Sequence, residues 1–143
     1  MECVQEIRVL YGDTDAYGVV WHGAYTKWFE AARVDAVENS IGINLTELEA
    51  KGILFPVVEM NIRYKSSAKI NDRIIIKTHI SEVKPSSVTF ESNVYDKLTG
   101  VLRVTGRVTI VTVNPETGKM YRKMPEELLT AFQNAQENIP ALI

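Results

Sequence analysis

The stretch from Gly23 to about Ile41 constrains the fold more than any other, because Tyr25, Trp28, Phe29, Ala32, Ala36, Val37 and Ile41 recur at steps of three and four. That spacing draws one broad apolar stripe along a helix and predicts a long, substantially buried element. Lys27, Glu30, Arg33, Val34 and Glu38 fall on its polar face, and Gly42 stands where such a helix would stop. A buried helix needs an apolar surface of comparable width to lie against, and the rest of the chain offers strands.

Val4 to Leu10 places Gln5, Ile7 and Val9 on one side and Val4, Glu6, Arg8 and Leu10 on the other, which predicts a first strand. After the long helix, Asn44 to Lys51 predicts a short second one, with Thr46 and Glu49 as a capping box and Gly52 as its stop. Strands are then predicted over Val57–Lys65, Arg73–Val83, Ser87–Asp96 and Val101–Val113. In the last, Leu102, Val104, Val108 and Ile110 oppose Arg103, Thr105, Arg107 and Thr109. Gly106 interrupts the apolar face, which means either a bulge or the close approach of another backbone, such as the helix. Turn signals at Lys84-Pro85-Ser86, at Asp96 to Gly100 and at Asn114 to Gly118 predict that successive strands are antiparallel neighbours. Pro125, Glu126 and Glu127 open a final amphipathic helix carrying Leu128, Leu129 and Phe132, and the tail beyond Glu137 is expected to fray. The sum is an α+β fold: a curved antiparallel sheet wrapped around one long central helix, in a single domain over residues 1–143. Such a sheet has a free edge, and a second copy pairing with it predicts a homodimer.

Composition removes several functions. A net charge of −2 gives no electropositive field for nucleic acid. No apolar run approaches the roughly 20 residues that cross a bilayer, and the first residues lack a secretory pattern, so the cytoplasm is expected. Cys3 is the single cysteine and reads as a small residue near a strand start. With only His22 and His79 as histidines, neither a metal nor a cofactor is expected, and His79 reads as structural or exposed. No Gly-x-Ser-x-Gly elbow or phosphate-cradling glycine loop is present.

Chemistry concentrates between the first strand and the long helix. Asp13-Thr14-Asp15 is a carboxylate-rich loop, and either acid can serve an Asx turn. Val19-Val20-Trp21 supplies apolar surroundings for a functional carboxylate beside a helix start. At His22-Gly23-Ala24 the first helical N–H groups lack intrahelical acceptors and carry partial positive charge, the geometry of an oxyanion hole. Gly23 would let an acyl group approach the backbone. The imidazole of His22 reads equally as a capping or packing group.

The run Tyr11-Gly12-Asp13-Thr14-Asp15-Ala16-Tyr17-Gly18-Val19-Val20-Trp21-His22-Gly23-Ala24-Tyr25, followed by Trp28-Phe29-Glu30-Ala31-Ala32-Arg33, closely resembles the 4-hydroxybenzoyl-CoA thioesterase family. Val58-Glu59-Met60, Tyr64 to Ala68 and Val108-Thr109-Ile110 extend the resemblance over nearly the whole chain. It implies a hot-dog fold, edge-to-edge dimers that often pair into tetramers, and active sites at the dimer interface. It also implies Asp15 as the catalytic carboxylate and the backbone N–H of His22 as the group that polarises the thioester carbonyl. The His22 side chain matches the bacterial acyl-CoA branch, including members associated with the Tol-Pal envelope system. Coenzyme A contacts are implied on the turn between the middle strands, here Lys84, Ser86 and Ser87, with Tyr17, Gly23 and Tyr25 completing the substrate-binding set. Trp21, Trp28 and Phe55 are further candidates for an acyl pocket.

The expected reaction is hydrolysis of an acyl- or aroyl-CoA, Asp15 acting as nucleophile or as general base on water. Two alternatives stand beside it: a hot-dog hydratase or dehydratase using His22 with Asp15, and a non-catalytic acyl-CoA-binding or interaction protein.

Overall fold

The structure is a computed structural model and describes residues 1–137; the tail expected to fray beyond Glu137 lies outside the described residues. In chain order the elements are β1 (Glu2–Arg8), α1 (His22–Asp35), α2 (Leu45–Ala50), β2 (Val57–Tyr64), β3 (Arg73–Val83), β4 (Ser87–Asp96), β5 (Leu102–Val111) and α3 (Glu126–Glu137). The five strands form one antiparallel sheet in the order β1-β3-β4-β5-β2. The expected α+β architecture is borne out, as are the bounds of β3 and β4.

One expectation about connectivity is corrected. β2 does not lie beside β3; it crosses to the far side and pairs with β5, so its other edge is free among the described residues. Tyr64 and Arg73 are not joined as a hairpin; the segment between them bridges Val19 to Lys69, passes Ala68 under the start of α1 and turns at Ile70-Asn71, where the Asp72 N–H donates to the Lys69 carbonyl at 3.0 Å.

The long helix runs across the concave face as predicted and relaxes into a π-helical turn over Ala36–Ile41. Gly42 ends it at φ 84°, a left-handed conformation that glycine adopts without strain. Arg33 is a second correction: it belongs to the buried face, not the polar one, and burial pushes its guanidinium below the usual arginine range. Apolar spacing alone gives no sign that a charged side chain at the margin of the stripe is covered. A third concerns α2, which is capped by Asn44, whose Oδ1 accepts the Glu47 N–H at 3.0 Å, and not by a Thr46–Glu49 box.

Beneath α1 one in-register row crosses four strands: Cys3, Thr78, Ser92 and Gly106. All four are small, so the helix can settle close to the sheet. Their polar groups are paired internally, Thr78 Oγ1 with Ser92 Oγ at 2.7 Å and Cys3 Sγ with Ser40 Oγ at 2.8 Å, which avoids the cost of unsatisfied buried hydroxyls. A Cβ on Gly106 would sit 2.5 Å from Phe29 Cε2, and the pairing of Gly106 with Ser92 and Ile62 is unbroken. Close approach, not a bulge, is therefore why glycine occupies this position. The core divides about this row. Tyr25, Trp28, Phe29, Ile74, Ile76 and Val104 fill the half near the start of α1, and Ile80, Phe90, Ile110, Leu129 and Phe132 fill the half covered by α3.

Candidate active site

Between β1 and α1 the chain makes a tight hairpin. Thr14 bridges Val20, Asp15 exchanges backbone contacts with Gly18 and Val19, and Gly18 closes the turn at φ 78°. The hairpin is tied down on both sides: the Val20 N–H donates to the Ala68 carbonyl at 2.9 Å and the Trp21 N–H to the Asp13 carbonyl at 3.0 Å. As the sequence suggested, Asp13 is a turn residue, its Oδ2 accepting the Leu10 N–H at 2.9 Å.

Asp15 has a different disposition. Oδ1 accepts the Tyr17 N–H at 2.8 Å, which fixes the carboxylate, while Oδ2 has no donor among the described residues. The side chain faces a half-open cleft of about 400 Å³ lined also by Tyr11, Thr14, Ala16, Gly18 and Ile70. Ile70 carries no sequence signal of its own; only the placement of the hairpin against the loop before β3 brings it to Asp15.

The same hairpin delivers the chain into α1. Trp21 is the N-cap in extended conformation and offers no side-chain cap, so the N–H groups of His22 and Gly23 have no acceptor among the described residues. Gly23 lets the Trp21 ring fold over the helix start: a Cβ there would fall 2.0 Å from Cζ3 of Trp21 and displace the ring. His22 packs edge-on against that ring at 5.6 Å and makes no side-chain hydrogen bond to Asp15 among the described residues. Within one chain His22 and Asp15 are therefore not paired, whereas a carboxylate and free main-chain donors are brought to one loop.

The profile of the Thioesterase-like superfamily matches residues 9–132. The chain belongs to this superfamily. It is 33% identical over 129 residues to the acyl-CoA thioesterase YbgC of Haemophilus influenzae, covering 90% of this chain and 92% of that one. It superposes on the DHNA-CoA thioesterase of Staphylococcus aureus with a TM-score of 0.85 at 27% identity, covering 95% and 91% of the two chains. The gentisyl-coenzyme A thioesterase BH1999 follows with a TM-score of 0.77 at 30% identity, covering 91% and 99%. The family resemblance and hot-dog fold read from the sequence are thus borne out.

Within this thioesterase-like chain the expected substrate-binding residues do not all converge. Tyr17 stands at the hairpin tip, 90% exposed. Tyr25 is corrected to a core residue, 2% exposed, its Oη accepting the Ala68 N–H at 3.5 Å; burial raises its phenol above the usual range. Trp28 is likewise core, and Phe55 packs on Phe132 at the other half of the molecule, so neither lines the Asp15 cleft. Lys84, Ser86 and Ser87 sit beyond the far end of the 11-residue β3, roughly 33 Å from its start by the rise of a strand. There Lys84 and Ser87 line a polar groove of about 490 Å³ with Arg63, Arg107, Glu59 and Glu82. His79 is structural, its Nε2 lying 3.2 Å from Glu91 on the outer face. No helix among the described residues is long and apolar enough to cross a membrane.

Proposed function

We propose that the protein hydrolyses acyl-CoA thioesters to the free acid and CoA, as a single hot-dog domain acting in the cytoplasm. One observation carries the reading: in a member of the Thioesterase-like superfamily, one hairpin sets Asp15, with an unengaged Oδ2, beside a helix start with free N–H groups. The thioester carbonyl oxygen accepts the His22 N–H, and the partial positive charge of the helix end stabilises the oxyanion that develops. Asp15 Oδ2 then attacks the acyl carbon to give a mixed anhydride that water hydrolyses to the acid and free Asp15, or it takes a proton from a water that attacks directly; in either route the CoA thiolate leaves and is protonated. The YbgC relative, named as an acyl-CoA thioesterase, and the DHNA-CoA and gentisyl-coenzyme A thioesterases support CoA thioesters as the substrate class.

The distance between Asp15 and the Lys84–Ser87 turn is reconciled by a homodimer. β2 is an edge strand that exposes Val57, Val58, Met60 and Tyr64, a surface suited to antiparallel pairing with a second copy. A twofold axis across β2 sets the Val57 end of one copy against the Tyr64 end of the other. Ser87 and Val57 lie at one end of the sheet, next to Val111 and Ile110, while Tyr64 reaches His22 at the other. The Lys84–Ser87 turn of one copy thereby approaches the Asp15 hairpin of the other, where its lysine meets a CoA phosphate. Pairing of two such dimers into a tetramer extends the same proposal.

Thiol release across a panel of short, long and aromatic acyl-CoAs tests the reaction. Asp15→Asn should lower kcat by about 10² to 10⁴, the usual contribution of such a group. Near-normal turnover by a folded Asp15→Asn protein overturns the assignment. Single-turnover incorporation of oxygen from labelled water into Asp15 identifies the nucleophilic route.

A further inference from the structure

A hydroxyl from the free edge of the sheet reaches the start of α1. Tyr64, the last residue of β2, donates its O–H to the main-chain oxygen of His22 at 3.2 Å. Its ring meets Tyr25 edge-on with centroids 5.7 Å apart, and Tyr25 is itself buried, so the reach of the hydroxyl is set from the core. The carbonyl of a first helical residue already accepts the N–H four residues on. The helix does not need a second donor there.

What Tyr64 grips is the peptide unit joining His22 to Gly23, and the other end of that unit is the Gly23 N–H, which has no acceptor among the described residues. The neighbouring side is held as well, by the Trp21 ring packed over Gly23 and by the Trp21 N–H bonded to Asp13. A peptide whose carbonyl takes an extra hydrogen bond is polarised and becomes a better donor at its nitrogen. A donor that stabilises an oxyanion must also be fixed in direction before the charge develops. We propose that Tyr64 is a positioning residue for thioester hydrolysis: its hydroxyl holds and polarises the His22–Gly23 peptide so that the Gly23 N–H acts as a second carbonyl-polarising donor beside that of His22. The proposal rests on the hydrolase reading above and adds to it a residue from the sheet edge.

Tyr64→Phe keeps the ring against Tyr25 and the β2 backbone for pairing, and removes only the hydroxyl. With a short acyl-CoA, kcat should fall about five- to tenfold, the effect of losing one hydrogen bond felt in the transition state, while KM stays within about twofold. The Gly23 amide proton should move upfield in a ¹H–¹⁵N spectrum, with the mass by light scattering and the Tm those of the parent. Placing 4-aminophenylalanine at position 64, which restores a donor at similar reach, should bring kcat back. An unchanged kcat, a loss carried by KM, a lowered mass or Tm, or failure of the rescue overturns the positioning role. Asp15→Asn run in parallel separates the two readings. Near-normal turnover there sinks the hydrolase assignment, whereas an inactive Asp15→Asn with a normal Tyr64→Phe sinks only the role of Tyr64.

Discussion

Gly106→Ala tests how closely the central helix is seated. The added methyl would lie 2.5 Å from Phe29 Cε2, 2.9 Å from Cδ2 and 3.1 Å from Cζ. Phe29 is 1% exposed and cannot swing away, so the ring and α1 must lift together. Overpacking of this kind costs about 1–3 kcal/mol, offset by the roughly 0.5–1 kcal/mol that alanine gains over glycine in a strand. A net loss of about 1–2 kcal/mol, set against an unfolding entropy of roughly 0.3 kcal/mol per kelvin for 143 residues, lowers Tm by about 3–7 °C. Differential scanning calorimetry on Gly106→Ala, Phe29→Leu and the double variant reads this directly. The double variant should be less destabilised than the two singles predict, because the leucine vacates the space the methyl needs. Phe29 lies two turns into α1, so lifting it also tilts the His22 amide, and kcat should fall with Tm. A neutral or raised Tm, or strict additivity in the double variant, refutes the close approach and returns Gly106 to an ordinary strand glycine.

Met60→Glu introduces like charges across the proposed twofold, so light scattering should report a monomer and thiol release should be lost with it; an active dimer defeats the β2 pairing. Asp96 is held below its ordinary value of 3.8 chiefly by the Thr99 N–H, assisted by Arg103 and the Leu98 N–H. Because the folded value is the lower one, its contribution to stability is complete above pH 3.8 and is lost as pH falls below it. Urea midpoints of the parent and Asp96→Asn should therefore differ at neutral pH and converge in acid; a constant gap contradicts the assignment.

Legibility in the sequence followed the reach of each signal. The long helix, its stop at Gly42, and the strands β3 and β4 announce themselves by local periodicity, and the bounds of the last two agree with the alternation of Ile74, Ile76 and Ile80 and of Val88, Phe90 and Val94. Position in the sheet is not a local property. β2 reads as a strand from its own residues, yet nothing in them says that it pairs with β5 and not β3. Asp15, His22 and Gly23 were legible because one contiguous motif, which also holds Tyr11, carries them, whereas Ile70 and Tyr64 come from separate segments and look like ordinary loop and strand residues. Lys84 and Ser87 were read as partners of Asp15, and within one chain the length of β3 keeps them apart.

The placement of the site follows from how α1 crosses the sheet. Its π-helical continuation is pinned over β1, where Ser40 meets Cys3, and Phe29 of α1 is locked over Gly106 on β5. Held at those two strands, the helix carries its first turn outward to β2, and Tyr64 meets it there. The unsatisfied N–H groups of His22 and Gly23, with the positive end of the helix, are thus delivered to the β2 edge of the sheet. Removing Phe29 from its seat and removing the edge pairing are therefore two routes to the same loss. The first moves the donors away from Asp15, and the second leaves them facing water, where a main-chain N–H is worth far less to a developing oxyanion.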